Sequence, residues 1–354
     1  MSYIRAVIAD DSAMLRTVLH DILENNGVSV VGAARNGKEA VELVAKLRPD
    51  ILILDCEMPV MNGLDALNRI MTETPLPVFM FSSLTREGAA VTIKALELGA
   101  VDFLLKPVGG ALSVETIASE LITKIKFIVI RDKFRKSSPD KGRRMALGAQ
   151  VGTLANITHR HLDIIAMGSS MGGVQAAVQL IPKLPANTKP IVWVQHMPPN
   201  FTKSFAERLD TLSAMHVVEA MDGEVVKDGV CYLAPGGVQM RVVKSVARTV
   251  IRLGGTEKIS GHCPSCDELF TSVSEQFSEN AMGIILTGMG EDGAKGLQKM
   301  HSRGSFVVGQ SERTCIVYGM PRAAFMLGAV DVQLDLNDIA KAVTQTQGLT
   351  AAGA

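Results

Sequence analysis

The chain has 354 residues, more than one ordinary hydrophobic core organises, since single cores stop growing near ~250–300 residues, so two domains are expected. Hydrophobic residues make up 47% and charged residues 20%, which excludes a disordered chain and describes an aliphatic-rich globular one. Thirty-six basic residues balance 36 acidic ones, so no net charge draws the chain to nucleic acid or an anionic membrane, and five cysteines over this length make no secreted disulfide framework.

The N-terminal segment, Met1-Ser2-Tyr3-Ile4-Arg5, runs at once into a strand and carries no basic, apolar, small-residue leader. No apolar run reaches the ~18 to 20 residues that span a bilayer, and a cytoplasmic protein without direct membrane insertion is expected. Up to about residue 130, short β-branched runs alternate with amphipathic stretches, the pattern of a doubly wound parallel sheet. Strands are predicted at Ile4–Ala9, Ser29–Ala33, Asp50–Leu54, Val78–Phe81 and Asp102–Leu105, with helices at about Ser12–Glu24, Gly37–Leu47, Gly63–Glu73, Glu87–Leu98 and Ser113–Arg131. Lys133 to Arg144 is basic, broken by Pro and Gly and without apolar periodicity, and reads as a solvated linker rather than a nucleic-acid contact. The predicted domains are 1–132 and 161–350, with the linker at 133–160. A second α/β pattern has strands predicted at Asp163–Met167, Ile191–Gln195, Met282–Thr287 and Ser305–Val308, while Val217–Leu253 reads as short, turn-separated strands able to form hairpins.

Asp10 and Asp11 end the first predicted strand and Asp55 follows the third, so a parallel sheet sets the three acids side by side where ligands bind. Such carboxylates repel one another unless a hard divalent cation sits among them, which suits Mg²⁺. Ser82 and Lys106 follow the fourth and fifth strands and add a hydroxyl and a cation beside an aspartate able to accept a phosphoryl group. This ordered set, with Met58-Pro59, Gly63 and Lys106-Pro107, resembles a response-regulator receiver domain. The resemblance implies Asp55 as phosphoacceptor, Asp10, Asp11 and Asp55 around Mg²⁺, Ser82 and Lys106 on the phosphoryl group, Phe103 as the aromatic switch, and a histidine kinase as partner.

In the second pattern, Gly168-Ser169-Ser170-Met171-Gly172-Gly173 lies between a strand and a helix-like segment. Read as G-x-S-x-G, it puts Ser170 on a sharp turn at a helix N-terminus, a place for a nucleophile, although a Gly/Ser-rich turn also serves to bind phosphate. His196 ends the next strand as a candidate base, and Asp292, after an apolar strand in Leu286-Thr287-Gly288-Met289-Gly290-Glu291-Asp292-Gly293, is the candidate carboxylate that orients it. The Met289 N–H is a candidate oxyanion donor, as is the Met171 N–H beside the nucleophile. The order Ser170, His196, Asp292 is not the Ser, Asp/Glu, His order of ordinary α/β-hydrolases. Cys263-Pro264-Ser265-Cys266 beside His262 has the spacing of half a metal or redox motif, but with a single CxxC the reading is a reduced loop-to-helix turn.

With Gln195-His196-Met197-Pro198-Pro199, Tyr232-Leu233-Ala234-Pro235, Pro264-Ser265-Cys266-Asp267 and Tyr318-Gly319-Met320-Pro321, these stretches resemble the chemotaxis protein-glutamate methylesterases, the CheB family, along the whole chain. The resemblance implies a flavodoxin-like receiver with a five-stranded parallel sheet joined to a Rossmann-like doubly wound α/β esterase domain. It also implies glutamate methyl esters of chemoreceptors as substrate, with deamidation of receptor glutamines as a related activity and no cofactor for the hydrolysis. A tether of this length permits domain docking and release, so the receiver is expected to cover the esterase groove until Asp55 is phosphorylated. Two positions depart from the family pattern: Met171 stands where a small or hydroxylated residue is usual, with a side chain expected to narrow the substrate groove, and Glu291 stands where Asn is usual.

Overall fold

The computed structural model describes residues 4–106, 118–129, 160–246 and 248–349. The chain divides into two compact units, Met1–Met145 and Ala146–Ala354, a boundary that falls inside the segment read as linker. That segment lies outside the described residues up to residue 159, as do Pro107 and the start of the helix expected at Ser113–Arg131, whose described part, α5, covers 118–129.

The first unit is a parallel sheet of β1 (Ile4–Ala9), β2 (Val28–Ala34), β3 (Ile51–Asp55), β4 (Val78–Ser82) and β5 (Asp102–Leu105), in the order β2-β1-β3-β4-β5. Burial on both faces explains why β3 and β4 read as unbroken apolar runs, with all five residues of each buried. The helices start where polar residues satisfy their free N–H groups: Ser12 accepts from Leu15 N before α1 (Ala13–Asn25), and Asn36 from Glu39 N before α2 (Gly37–Leu47). Asn62 accepts from Asp65 N before α3 (Gly63–Glu73), and Thr85 from Gly88 N before α4 (Arg86–Glu97). Gly63 is required sterically, because a Cβ there would lie 2.0 Å from the Asp55 carbonyl oxygen, so its absence lets α3 begin tight against the end of β3.

The second unit has a seven-stranded parallel sheet in the order β14-β13-β12-β6-β7-β9-β8. Its strands are β6 (Ile164–Ser169), β7 (Ile191–Gln195), β8 (His216–Glu219), β9 (Val230–Leu233), β12 (Ala281–Ile285), β13 (Phe306–Gln310) and β14 (Val332–Leu334). Helices α6 (Gly173–Leu180), α7 (Phe201–Asp210), α8 (Cys266–Phe277), α9 (Ala294–Ser302), α10 (Met320–Met326) and α11 (Leu336–Thr346) complete it, with Phe270, Leu297, Met300 and Met320 in the core between helices and sheet. The order places β6 between β7 and β12, so chain segments more than a hundred residues apart end side by side.

One expectation is corrected. Only β10 (Met240–Lys244) and β11 (Thr249–Leu253) form a hairpin, whereas β8 and β9 run parallel in the main sheet. The intervening chain does not turn tightly, because it is drawn along β11 instead: Gly223 N donates to Ile251 O at 2.9 Å, Ile251 N to Glu224 O at 2.9 Å and Val226 N to Thr249 O at 3.0 Å. Among the described residues, no helix is long and apolar enough to cross a membrane.

Candidate active site

In the first unit, Asp10 at the end of β1 and Asp55 at the end of β3 are both buried, with Asp11 exposed at the rim. Asp10 Oδ1 accepts from Ser12 N at 2.8 Å and Asp55 Oδ1 from Glu57 N at 3.3 Å. Their Oδ2 atoms take no backbone donor and are paired with the Lys106 ammonium, at 3.3 Å from Asp10 and 2.7 Å from Asp55. Burial pushes the Asp55 carboxyl up to about 6, with Lys106 opposing the shift and the Asp10 charge adding to it. Burial works against the Lys106 cation, but Asp55 and Asp10 outweigh it and its pKa is raised. One carboxylate oxygen from each of Asp10, Asp11 and Asp55 lies within 4.8 Å of the others. Two buried carboxylates beside an exposed one are a donor set that fits a hard divalent cation.

Ser82 ends β4 with its hydroxyl turned toward α4: Thr92 Oγ1 lies 2.7 Å away and the Gly88 carbonyl 3.4 Å. Phe103 is buried in β5.

In the second unit, three strand ends meet. Ser169 pairs with Gln195 across β6 and β7, so Ser170 and His196 are the next residues on adjoining strands, and His196 N donates to Ser169 O at 3.0 Å. On the other side of β6, Ser170 N donates to Thr287 O at 3.0 Å, and a Cβ on Gly288 would lie 2.9 Å from the Ser170 Cβ. The chain beyond β12 carries Asp292 back to His196, whose Nε2 lies 2.8 Å from Asp292 Oδ2. A carboxylate only accepts, so Nε2 carries the proton and Nδ1 is left with its lone pair. Nδ1 is buried and without a hydrogen-bond partner among the described residues.

Asp292 is fully buried and fully engaged. Oδ1 accepts from the Ser265 hydroxyl at 2.7 Å and Asp267 N at 3.1 Å, and Oδ2 from Cys266 N at 2.7 Å as well as from His196. Burial works against this carboxylate, but the hydrogen bond from His196 and the charge that ring gains on protonation, with Ser265 and Asp267 N, outweigh it and hold its pKa below the ordinary value. Two of these donors come from the first turn of α8, where orphan N–H groups and the helix dipole favour an anion.

His262 stacks on His196 with ring centroids 3.7 Å apart and planes 8° from parallel. Cys266 Sγ lies 3.7 Å from His196 Nε2, but burial and the charges of Asp292 and Asp267 raise its pKa well above the ordinary value, so it stands there as a neutral thiol. All five cysteines are free.

Met171 and Met289 sit in the turns after β6 and β12. Met171 is buried, while Glu291 is exposed. Gly172, with φ of 82°, opens α6 without a side-chain cap, which leaves the Met171 turn as backbone amides at a helix N-terminus. Thr287 Oγ1 holds this turn, lying 2.9 Å from Met171 O and 2.8 Å from Val317 N. Sequence reasoning gives Gln195, Ser265 and Thr287 no role of their own and weighs His262 only as a neighbour of the CxxC; their one local signal is position within or beside the motif stretches.

The comparisons with known proteins agree along the chain. The CheB methylesterase family matches residues 165–343, and the response regulator receiver domain matches residues 6–118. Protein-glutamate methylesterase/protein-glutamine glutaminase 1 of Rhizobium johnstonii is 45% identical over 340 residues, covering 96% of this chain and 95% of its own. The protein-glutamate methylesterase/protein-glutamine glutaminase of Archaeoglobus fulgidus is 41% identical over 346 residues, covering 96% and 97%. The crystal structure of the Thermotoga maritima CheB methylesterase catalytic domain matches with a TM-score of 0.50 and 39% identity, covering 51% of this chain and 97% of that one. With strand ends that gather a serine, a histidine and an aspartate in one unit and acids around a lysine in the other, and with relatives of this likeness over nearly its full length, the chain belongs to the CheB methylesterase family and carries a response-regulator receiver domain.

Proposed function

We propose that this protein hydrolyses methyl esters of glutamate side chains on chemoreceptors, under control of its receiver domain, with Ser170 as nucleophile, His196 as base and Asp292 as the carboxylate that orients it. The observation that carries the reading is the polarity of the histidine: Asp292 takes Nε2, and the buried Nδ1 is left unbonded on the strand adjoining Ser170. In the reaction, Nδ1 accepts the Ser170 proton as Oγ bonds to the ester carbonyl carbon. The Met171 and Met289 amides are the proposed donors to the oxyanion. When the C–O bond to the methoxy group breaks, the Nδ1 proton passes to it and methanol leaves. Water, deprotonated by the same nitrogen, then splits the acyl-enzyme and restores glutamate and Ser170. A glutamine side chain follows the same course with ammonia as leaving group, the second activity in the relatives' names.

For control, Asp55 is the proposed phosphoacceptor. Asp10, Asp11 and Asp55 would hold Mg²⁺, which when bound supplies charge stabilisation to the transferring phosphoryl group. Lys106 already faces both buried aspartates, Ser82 would leave Thr92 for the phosphoryl oxygens, and Phe103, paired with Met80 two residues before Ser82 on β4, is the proposed switch residue. A histidine kinase of the chemotaxis type is the proposed donor, methylated chemoreceptors the proposed substrate and the cytoplasm the proposed location. The test is methanol release from methylated receptor membranes, with and without a small phosphodonor. Ser170→Ala is expected to lose at least about 10³-fold in kcat, and Asp55→Asn to keep basal turnover while losing stimulation; undiminished turnover by Ser170→Ala ends the nucleophile assignment.

A further inference from the structure

We infer that Gln195 is a positioning residue that sets the placement of Ser170 relative to His196, an inference that rests on their assignment as nucleophile and base. Gln195 is the last residue of β7 and is 3% exposed. One side-chain amide nitrogen donates to both carbonyls that follow the reactive residues: Nε2 lies 2.9 Å from Ser170 O and 3.1 Å from His196 O. At the other end, Oε1 accepts from the Ser169 hydroxyl at 2.6 Å, and Ser169 Oγ accepts from Trp193 Nε1 at 2.8 Å.

The donors and acceptors in this chain admit one orientation. Indole nitrogen only donates, so Ser169 Oγ must accept there and spend its single proton on Gln195. The Gln195 atom facing it is therefore oxygen, and the NH₂ group must face the two carbonyls, which only accept. Trp193, Ser169 and Gln195 are all buried, so no water competes for these bonds. Gly173 completes the fit, because a Cβ there would stand 1.9 Å from Gln195 Oε1, and its absence lets α6 start against the amide. The peptide units after nucleophile and base are thus tied to one planar group, and shifting Ser170 against His196 breaks a buried hydrogen bond. The same chain separates two adjacent serines in role: Ser169 is spent inside, whereas Ser170 remains partly exposed.

A buried glutamine that served stability alone would lower the melting temperature without a graded effect on the chemical step. The test uses the full chain with Gln195→Met, which keeps the length and removes the donors, Ser169→Ala, which removes the anchor, and Trp193→Phe, which removes the outermost donor. Methanol release is measured as kcat and KM separately, beside thermal melting. Loss of near-attack geometry costs up to about 100-fold per ~1 Å, so Gln195→Met is expected to lower kcat by about 10- to 100-fold with KM within about twofold. Ser169→Ala is expected to lose less and Trp193→Phe least. A folded Gln195→Met with the kcat of the parent, or losses that follow melting temperature instead of this order, overturns the inference. Should Gln195→Met not fold, equal and parental kcat in the other two variants overturns it as well. Ser170→Ala run in parallel separates the failures: turnover in that variant removes the nucleophile assignment itself, whereas its inactivity beside a fully active Gln195→Met removes only the role of Gln195.

Discussion

Asp292→Asn is usually a mild replacement of a carboxylate, and here the structure makes it a severe one. All four hydrogen bonds of Asp292 are accepted ones, so the new NH₂ group must face two donors wherever it is placed. At the Oδ1 position it meets the Ser265 hydroxyl, which can turn and accept, and Asp267 N–H, which cannot. At the Oδ2 position it meets Cys266 N–H, which cannot accept, and His196 Nε2, which can do so only by moving its proton to Nδ1, the atom that must take the proton from Ser170. Either orientation strands one buried backbone N–H, a cost of about 1–3 kcal/mol, and both remove the charge that stabilises the imidazolium. The expected result is a kcat lower by roughly 10³- to 10⁴-fold and a urea-unfolding free energy lower by about 1–3 kcal/mol. Methanol-release kinetics and urea titration of the second unit, followed through Trp193 fluorescence, read the two effects. Parental kcat in the Asn variant, or a gain in stability, would refute the assignment of Asp292.

Gly173→Ala places a methyl group 1.9 Å from Gln195 Oε1 and 2.8 Å from Ser169 Oγ, and is expected to lower kcat by at least about tenfold in the same methanol assay. His262→Ala removes the ring stacked on His196, and a fall in kcat is expected, with His262→Phe recovering part of it because it restores a flat ring. Asp55 has a folded pKa raised from 3.8 to about 6, so its favourable share of stability is fully present below 3.8 and is lost as pH rises through about 6. Asp55→Asn is therefore expected to slow hydrogen exchange of the β1–β5 amides at pH 7.5, by on the order of 3 kcal/mol, with the gain gone near pH 4; an equal effect at both pH values contradicts this origin.

The sites that sequence patterns exposed are those where chemistry coincides with a strand end. Ser170, His196 and Asp292 each follow an apolar run, and parallel strands bring such positions to one edge of a sheet. What remained hidden depends on contacts between side chain and distant backbone. Gln195 reaches Ser170 O, and Ser265 reaches Asp292 27 residues away; neither leaves a periodic trace in the sequence. Within the run 217–253 the hairpin reading holds for β10 and β11 but not for β8 and β9, because a parallel neighbour and a hairpin partner have the same β-branched composition, and the bonds of the 223–226 segment to β11 decide between them. β14 is three residues long with Gln333 in the middle, too short to show a period.

The central claim is that the second serine of the Gly168–Gly173 turn, and not the first, is the nucleophile. Treating the full-length protein with a phosphonofluoridate and mapping the modified peptide by mass spectrometry tests it directly, since only an activated hydroxyl is labelled. The adduct is expected on Ser170, with labelling lost in His196→Ala. An adduct on Ser169, or labelling of Ser170 that proceeds equally well without His196, would contradict the account.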